Sequence, residues 1–200
     1  MTTARSPALL ERDREVAALA DAASDAASGV ARLVVVEGPA GIGKSRLLGA
    51  VRAEAPGLGL TVLGARGSEL EREFAFGVVR QLLEPAVVDP GARARCCAGS
   101  AAPASAVLAP PGDAPSDARD VSFAALHGLY WLTANLAADG PLALVVDDLH
   151  WVDVPSLRYL AYLTRRLEGL PILVVAGLRS GEPGADPALV AEIVQDPRAS

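Results

Sequence analysis

Residues 38–45 are Gly38-Pro39-Ala40-Gly41-Ile42-Gly43-Lys44-Ser45, a full match to the pattern G-x-x-x-x-G-K-[ST]. A short β-branched run at 33–36 precedes this stretch, and a helix with one apolar face is predicted to follow it over 44–55. Glycines let the backbone curl so that its N–H groups point at a phosphate, and the helix directs its positive dipole end at the same anion. The sequence therefore predicts a phosphate-binding loop between a strand and a helix.

The last two residues of this motif carry separate chemical roles. Lys44 is the single lysine among 18 basic residues, and its ammonium is expected to reach the β and γ phosphates of a nucleotide. The Ser45 hydroxyl is expected to ligate Mg²⁺. The alternative is a chance glycine-rich turn, but the flanking strand and helix are the context that the motif requires. We interpret Lys44 as a catalytic residue and Ser45 as a metal ligand.

Two acids follow the apolar run 142–146 directly. Ligands bind at the carboxyl ends of the strands in open α/β sheets, so Asp147 and Asp148 are placed at a binding edge. We expect Asp147 to hold Mg²⁺ and Asp148 to orient and polarise the attacking water. A solvated acidic turn is the alternative for each of them.

A third candidate follows the apolar run 172–176. Arg179 is expected just past this strand, where a guanidinium can contact a γ phosphate through a charge-assisted hydrogen bond. A surface arginine is the alternative. We count Arg179 with Lys44 and Asp148 as the candidate catalytic residues.

Apolar strands alternate with helices along the chain, which predicts an α/β fold with a parallel sheet and helices on both faces. The predicted strands are 33–36, 60–65, 142–146 and 172–176. The predicted helices are 9–27, 44–55, 76–83, 122–138, 154–168 and 187–195. Residues 85–120 are rich in Ala and Pro and are expected to form a long loop with one helical turn near 92–97.

Composition excludes several classes of protein. The net charge of −6 argues against a broad nucleic-acid surface, which is usually basic. No apolar run approaches the roughly 20 residues of a membrane span, and the first residues lack the apolar core of a secretory signal. Cys96 and Cys97 are adjacent and are not expected to form a disulfide. We therefore expect a cytoplasmic protein without a membrane partner.

Five stretches together resemble a known family. They are residues 10–15, 34–48, 76–83, 145–153 and 173–179, in this order along the chain. The chain resembles the ATPase domain of STAND-type P-loop proteins, and more closely the N-terminal module of large ATP-binding LuxR-type transcriptional regulators. The phosphate loop is shared by many families, whereas Asp-Asp-Leu-His-Trp at 147–151 and Phe-Gly-Val-Val-Arg-Gln-Leu at 76–82 are much narrower signatures.

The resemblance implies a three-layer P-loop fold with strand order 1-4-3-2 and a fifth strand missing. It implies an N-terminal helical segment, 1–30, near the adenine, and an ATPase core over 31–200. The regulatory regions and the DNA-binding helix-turn-helix of such proteins are expected to be absent from this chain. The implied nucleotide contacts are Gly38, Pro39, Ala40, Gly41, Ile42, Gly43, Lys44, Ser45, Arg46 and Arg12.

The function implied by the resemblance is a switch that binds ATP or ADP with Mg²⁺, hydrolyses ATP slowly and self-associates. DNA would be contacted only through a domain not present in this chain. Two other functions stay open: an interaction module without nucleotide turnover, and a kinase acting on a small molecule. The chain has no guanine-reading Asn-Lys-x-Asp stretch, which favours ATP over GTP.

Other residues have a less specific pattern. Asp153 is predicted to cap the helix over 154–168 rather than to bind metal. His150 and Trp151 either shape the site or form a packed turn. Arg165 and Arg166 are expected on a solvated helix face, the alternative being an arginine finger for a neighbouring protomer.

Overall fold

A computed structural model describes residues 12–109, 122–182, 184–197 and 199. The strands are β1 (Arg32–Gly38), β2 (Thr61–Arg66), β3 (Leu142–Asp147) and β4 (Ile172–Arg179). The helices are α1 (Asp13–Ala27), α2 (Lys44–Glu54), α3 (Gly77–Leu83), α4 (Pro90–Cys96), α5 (Ala104–Val107), α6 (Phe123–Asp139), α7 (Val154–Thr164) and α8 (Pro187–Val194). Short 3₁₀ turns include Leu149–Trp151, which follows β3.

The strands form one parallel sheet in the order β1-β4-β3-β2, which confirms the expected 1-4-3-2 order. Every residue of β3 is buried, and so is every residue of β4 except the last. Continuous apolar sequence is typical of parallel strands that are covered on both faces, and these two strands occupy the centre of the sheet.

Each face of the sheet has its own apolar core, so the fold has three layers. Val145 and Val175 point to the face covered by α1 and α2, whereas Leu144 and Val174 point to the face covered by α3, α6 and α7. This division follows from the alternation of side chains along a strand. It confirms the prediction of helices on both faces.

The prediction of one long loop over 85–120 is wrong for its first part, although the helical turn expected near 92–97 is present as α4. Residues 90–107 contain α4 and α5 with a 3₁₀ turn between them, and Ala101 and Ala104 are fully buried. Gly128 of α6 makes the contact possible, since a Cβ there would lie 2.7 Å from the backbone nitrogen of Ala104. Alanine-rich helices lack the contrast between apolar and polar faces that identifies a helix in sequence. Residues 110–121 lie outside the described part of the chain.

Two boundaries also differ from the prediction. Strand β4 continues through Arg179, because the chain stays paired with β1 up to Gly38 and Arg179. Helix α7 ends at Thr164, four residues early, and the turn that follows buries Leu167 but leaves Arg165, Arg166 and Glu168 exposed. Strand β1 lies at the sheet edge as expected, but Leu33 is bridged on its outer side by Ala199, so this edge is not wholly unpaired.

The parallel arrangement brings four strand ends to one edge of the sheet. Gly38 ends β1, Arg66 ends β2, Asp147 ends β3 and Arg179 ends β4. Residues that are far apart in sequence therefore meet at this carboxyl edge. No helix among those described is long and apolar enough to cross a membrane.

Candidate functional site

The loop between β1 and α2 depends on glycine at two positions. Gly41 has φ +75° and Gly43 has φ +97°, both in the left-handed region that side chains rarely adopt. Helix α2 begins at Lys44 immediately after the second of them. The local geometry therefore explains why these two positions of the motif are glycine, and it directs the start of α2 toward the carboxyl edge.

Lys44 is a buried cation inside this loop. Its side chain is part of a residue only 8% exposed, and Nζ donates to the backbone oxygens of Gly38 at 2.8 Å and Pro39 at 2.9 Å. Among the described residues it forms no ion pair. A buried charge with neutral partners alone is unfavourable, so this ammonium is suited to an anion. Ser45 is exposed in the first turn of α2, where its hydroxyl is accessible.

The two acids after β3 differ in their surroundings. Asp147 is 4% exposed, and its Oδ1 accepts from the backbone N–H of Asp148 at 3.0 Å. Its carboxylate lies over Gly177 of β4, where a Cβ would come within 2.8 Å of Oδ1. Asp147 is thus held in place with oxygen capacity remaining for a hard cation such as Mg²⁺.

Asp148 has a left-handed backbone, with φ +51° and ψ +53°. Aspartate tolerates this conformation better than most residues. The segment after β2 passes close by, since a Cβ on Gly67 would lie 2.4 Å from the backbone oxygen of Asp148. The turn is therefore constrained by packing, as strained functional turns are.

Arg66 pairs with Asp148 and was not predicted from the sequence. Its Nε and Nη2 both contact Asp148 Oδ2, at 2.9 Å and 2.8 Å. The Arg66 side chain is 70% exposed and the Asp148 side chain 11% exposed. The sequence shows an arginine at the end of a predicted strand. Its pairing with Asp148 can be inferred only when β2 is known to lie beside β3.

Arg179 is paired with an acid that follows it in the chain. Its Nη1 donates to Glu182 Oε1 at 2.6 Å, and this hydrogen bond raises the pKa of the Arg179 guanidinium. Arg179 Nε is buried and has no partner among the described residues. Glu182 is a second residue that sequence reasoning missed.

His150 is buried beside the same acid. It is 1% exposed, its Nε2 lies 3.8 Å from Glu182 Oε2, and burial lowers the pKa of the imidazole. Neither ring nitrogen has a hydrogen-bond partner in the described structure. His150 is therefore a neutral packed residue near the site rather than a proton donor to it.

The N-terminus of α1 reaches the phosphate loop. Arg12 Nη2 donates to the backbone oxygen of Ile42 at 3.4 Å, and Arg12 also pairs with Glu15. This contact places Arg12 beside the loop. Its expected role at the adenine stays a prediction. Arg46 lies in the first turn of α2 with an exposed side chain.

A cavity of about 460 Å³ opens at the carboxyl edge over β2 and β3. Its lining includes Arg66, Ser68, Gln81, Asp148, Trp151 and Arg179. The pairing of Arg66 and Asp148 forms part of one wall. Polar groups therefore surround the space next to Asp148.

Asp153 connects the turn after β3 with two helices. It caps α7 by accepting from the Ser156 N–H at 2.9 Å, which confirms the predicted cap. It also accepts from the backbone N–H groups of Phe76 at 2.8 Å and Val78 at 3.1 Å. Asp153 therefore stabilises the starts of α3 and α7 through hydrogen bonds to their backbone N–H groups.

Other sequence candidates lie away from the edge. Arg165 pairs with Glu192, and the Arg166 guanidinium packs over the Tyr162 ring at 3.7 Å. Both arginines lie in the turn after α7 rather than on its face, and both make contacts within the chain. Cys96 and Cys97 are free and buried, and burial raises the pKa of the Cys96 thiol.

Comparison with known proteins agrees with this architecture. A family model described as an AAA ATPase domain matches residues 8–175. The Aeropyrum pernix ORC1 protein, solved in complex with DNA, is similar in structure with a TM-score of 0.52 and 18% identity. That match covers 97% of this chain and 46% of the other, so this chain spans about half of it.

A chain of Drosophila ORC bound to DNA aligns with a TM-score of 0.47 and 14% identity, covering 94% of this chain and 87% of the other. Comparison with curated proteins gives no match. At 18% identity the ORC1 structure supports the fold and nothing finer.

Proposed function

Because this chain belongs to the AAA ATPase domain family, we propose that it binds ATP and ADP at the loop between β1 and α2. The observation that carries the proposal is Lys44, a buried ammonium that contacts only backbone oxygens in the described structure. Backbone N–H groups and the start of α2 supply further positive potential for phosphates. The proposed contacts extend over residues 38–46 and to Arg12.

The residues at the carboxyl edge fit a magnesium ion. Ser45 offers an exposed hydroxyl and Asp147 a fixed carboxylate, and Mg²⁺ takes few protein ligands because phosphates and waters complete its shell. When bound, Mg²⁺ would neutralise charge on the phosphates. Ser45 and Asp147 are the proposed ligands.

Asp148 and Arg179 are the proposed residues for hydrolysis and for sensing the γ phosphate. Asp148 would orient the attacking water, but its carboxylate is paired with Arg66. Arg66 contacts only Oδ2, which leaves Oδ1 to orient a water but draws part of the carboxylate charge toward Arg66, so we expect slow turnover. Slow turnover suits a switch in which the bound nucleotide controls self-association, rather than an enzyme whose role is to form product.

The proposed biological context is a signal-responsive transcriptional regulator of the LuxR type. The stretches at 76–82 and 147–151, which resemble that family in sequence, support it. In such a protein the nucleotide state would control self-association, and DNA would be contacted through a domain outside this chain. The net charge of −6 agrees with a module that does not bind DNA itself.

Calorimetry with Mg-ATP and Mg-ADP tests the proposal directly. Wild-type protein should bind both nucleotides saturably, and Lys44→Ala should weaken binding by about 100-fold or more, since a charged contact to phosphate is lost. Arg95→Ala removes the same charge from an exposed pair with Asp139 and should leave binding unchanged. Absence of binding by folded wild-type protein would refute the proposal.

A second candidate, phosphate transfer to a small molecule, is favoured by the cavity beside Asp148. Its volume of about 460 Å³ is large enough for a small acceptor. Phosphorus NMR of the products separates the two functions. Release of inorganic phosphate without any added metabolite supports the ATPase, whereas a phosphorylated metabolite and strong stimulation by it would support the kinase.

A further inference from the structure

The segment after β4 links the phosphate loop with the turn that follows β3. The Ser180 N–H donates to the backbone oxygen of Gly38 at 3.2 Å, and the Ala185 N–H donates to that of His150 at 3.0 Å. Between them, Gly181 adopts φ +77°, which reverses the chain and returns Glu182 toward the end of β4. Glu182 therefore occupies a position between two parts of the proposed nucleotide site.

The Glu182 carboxylate forms an ion pair with the Arg179 guanidinium. The Arg179 Nη1 to Glu182 Oε1 distance is 2.6 Å, and the two side chains are 32% and 31% exposed. The other carboxylate oxygen, Oε2, faces His150 Nε2 at 3.8 Å, beyond hydrogen-bond distance. Because this imidazole is buried and neutral at pH 7, it does not compete for the carboxylate.

We propose that Glu182 is a positioning residue for Arg179, which holds the guanidinium at the end of β4 and competes with the terminal phosphate of ATP for it. This inference rests on the proposed nucleotide site. ADP has no γ phosphate, so its binding does not require Arg179 to leave Glu182. Glu182 therefore lowers the preference for ATP over ADP without contacting the nucleotide.

The expected size of the effect follows from the exposure of the pair. A partly exposed ion pair is screened and contributes modestly, so removing the competitor should raise the ATP-to-ADP affinity ratio by about two- to fivefold. A larger factor would require a pair that is fully buried. The ratio, rather than either affinity alone, is the diagnostic quantity, because a general disturbance of the fold would weaken both nucleotides together.

Calorimetry on Glu182→Gln tests the inference. We expect tighter Mg-ATP binding, unchanged Mg-ADP binding and hence a higher ratio than in wild type. Glu182→Asp keeps the charge on a shorter side chain and should give an intermediate ratio. Glu192→Gln is the matched control, because Glu192 forms an equivalent partly exposed pair with Arg165 on another part of the surface; its ratio should equal that of wild type.

The double variant Arg179→Gln/Glu182→Gln shows whether the effect passes through Arg179. Its ratio should equal that of Arg179→Gln alone, because Glu182 then has no guanidinium to restrain. An unchanged or lower ratio in Glu182→Gln, or an equal rise in the Arg179→Gln background, would overturn the inference while nucleotide binding itself stands. Failure of wild-type protein to bind either nucleotide would instead overturn the proposed function.

Discussion

Replacing Asp153 with alanine should be among the most destabilising changes outside the apolar core. The carboxylate is 2% exposed and accepts from three backbone N–H groups, those of Phe76, Val78 and Ser156. Helix α3 has only seven residues, and Phe76, which precedes it with φ +60°, provides no side-chain cap. A helix this short is not stable alone, so its start depends on Asp153.

The magnitude can be estimated from these three contacts. Loss of the cap on α7 costs about 1 kcal/mol. The two N–H groups at the start of α3 would be buried without a partner, at about 1–3 kcal/mol each. The expected loss is therefore about 3–7 kcal/mol, a large share of the roughly 5–15 kcal/mol that stabilises a typical domain.

Urea unfolding followed by circular dichroism measures this loss as a shift in midpoint at constant slope. Asp186→Ala is the matched control: Asp186 also caps a helix, α8, but it is only half-buried, and in the described structure its carboxylate accepts only from the N–H groups of Ala188 and Leu189. We expect that control to lose about 1 kcal/mol. Equal losses in the two variants would show that the connection to α3 contributes nothing, and the reasoning above would fail.

Three further predictions concern other parts of the fold. Gly177→Ala should displace the Asp147 carboxylate, because the new Cβ would lie 2.8 Å from Oδ1; calorimetry should show about tenfold weaker ATP binding with Mg²⁺ and little change without it. Burial lowers the pKa of His150 in the folded protein, so below about pH 6.5 the unfolded chain binds more protons and stability falls as the pH decreases. His150→Gln should flatten that fall in melting temperatures measured between pH 7.5 and 5.5. Gly128→Ala should cost about 1–3 kcal/mol in urea unfolding through a clash with α5, whereas Gly49→Ala, with nothing within 4 Å of its Cβ, should be neutral or stabilising.

Local sequence patterns predicted the parts of this fold that depend on local physics. The apolar runs of β3 and β4 identify buried parallel strands, and Asp153 before Pro155 identifies a helix start. The glycines at 41 and 43 are needed by the backbone itself, which adopts left-handed angles there. Such features can be inferred from a few neighbouring residues.

The order of the strands in the sheet, by contrast, cannot be inferred from a few neighbouring residues. The sequence of β1 does not indicate that this strand pairs with β4 rather than β3. The strand order was implied by resemblance to other proteins, and the structure confirms it. Arg66 was missed for the same reason. Its role depends on the register that sets it opposite Asp147, and register between strands about 80 residues apart has no local signature.

The charged side chains of the carboxyl edge differ in whether an opposite charge neutralises them, which the individual motifs do not show. Asp148 is neutralised by Arg66, and Arg179 is neutralised by Glu182, while Lys44 contacts only neutral oxygens. The loop that is proposed to hold the phosphates is therefore the part of the edge with uncompensated positive charge. For the proposed function, phosphate binding at this loop requires no ion pair to break, whereas Asp148 shares its charge with Arg66 and Arg179 shares its charge with Glu182. We therefore expect binding to be easier than hydrolysis, as the proposed slow switch requires.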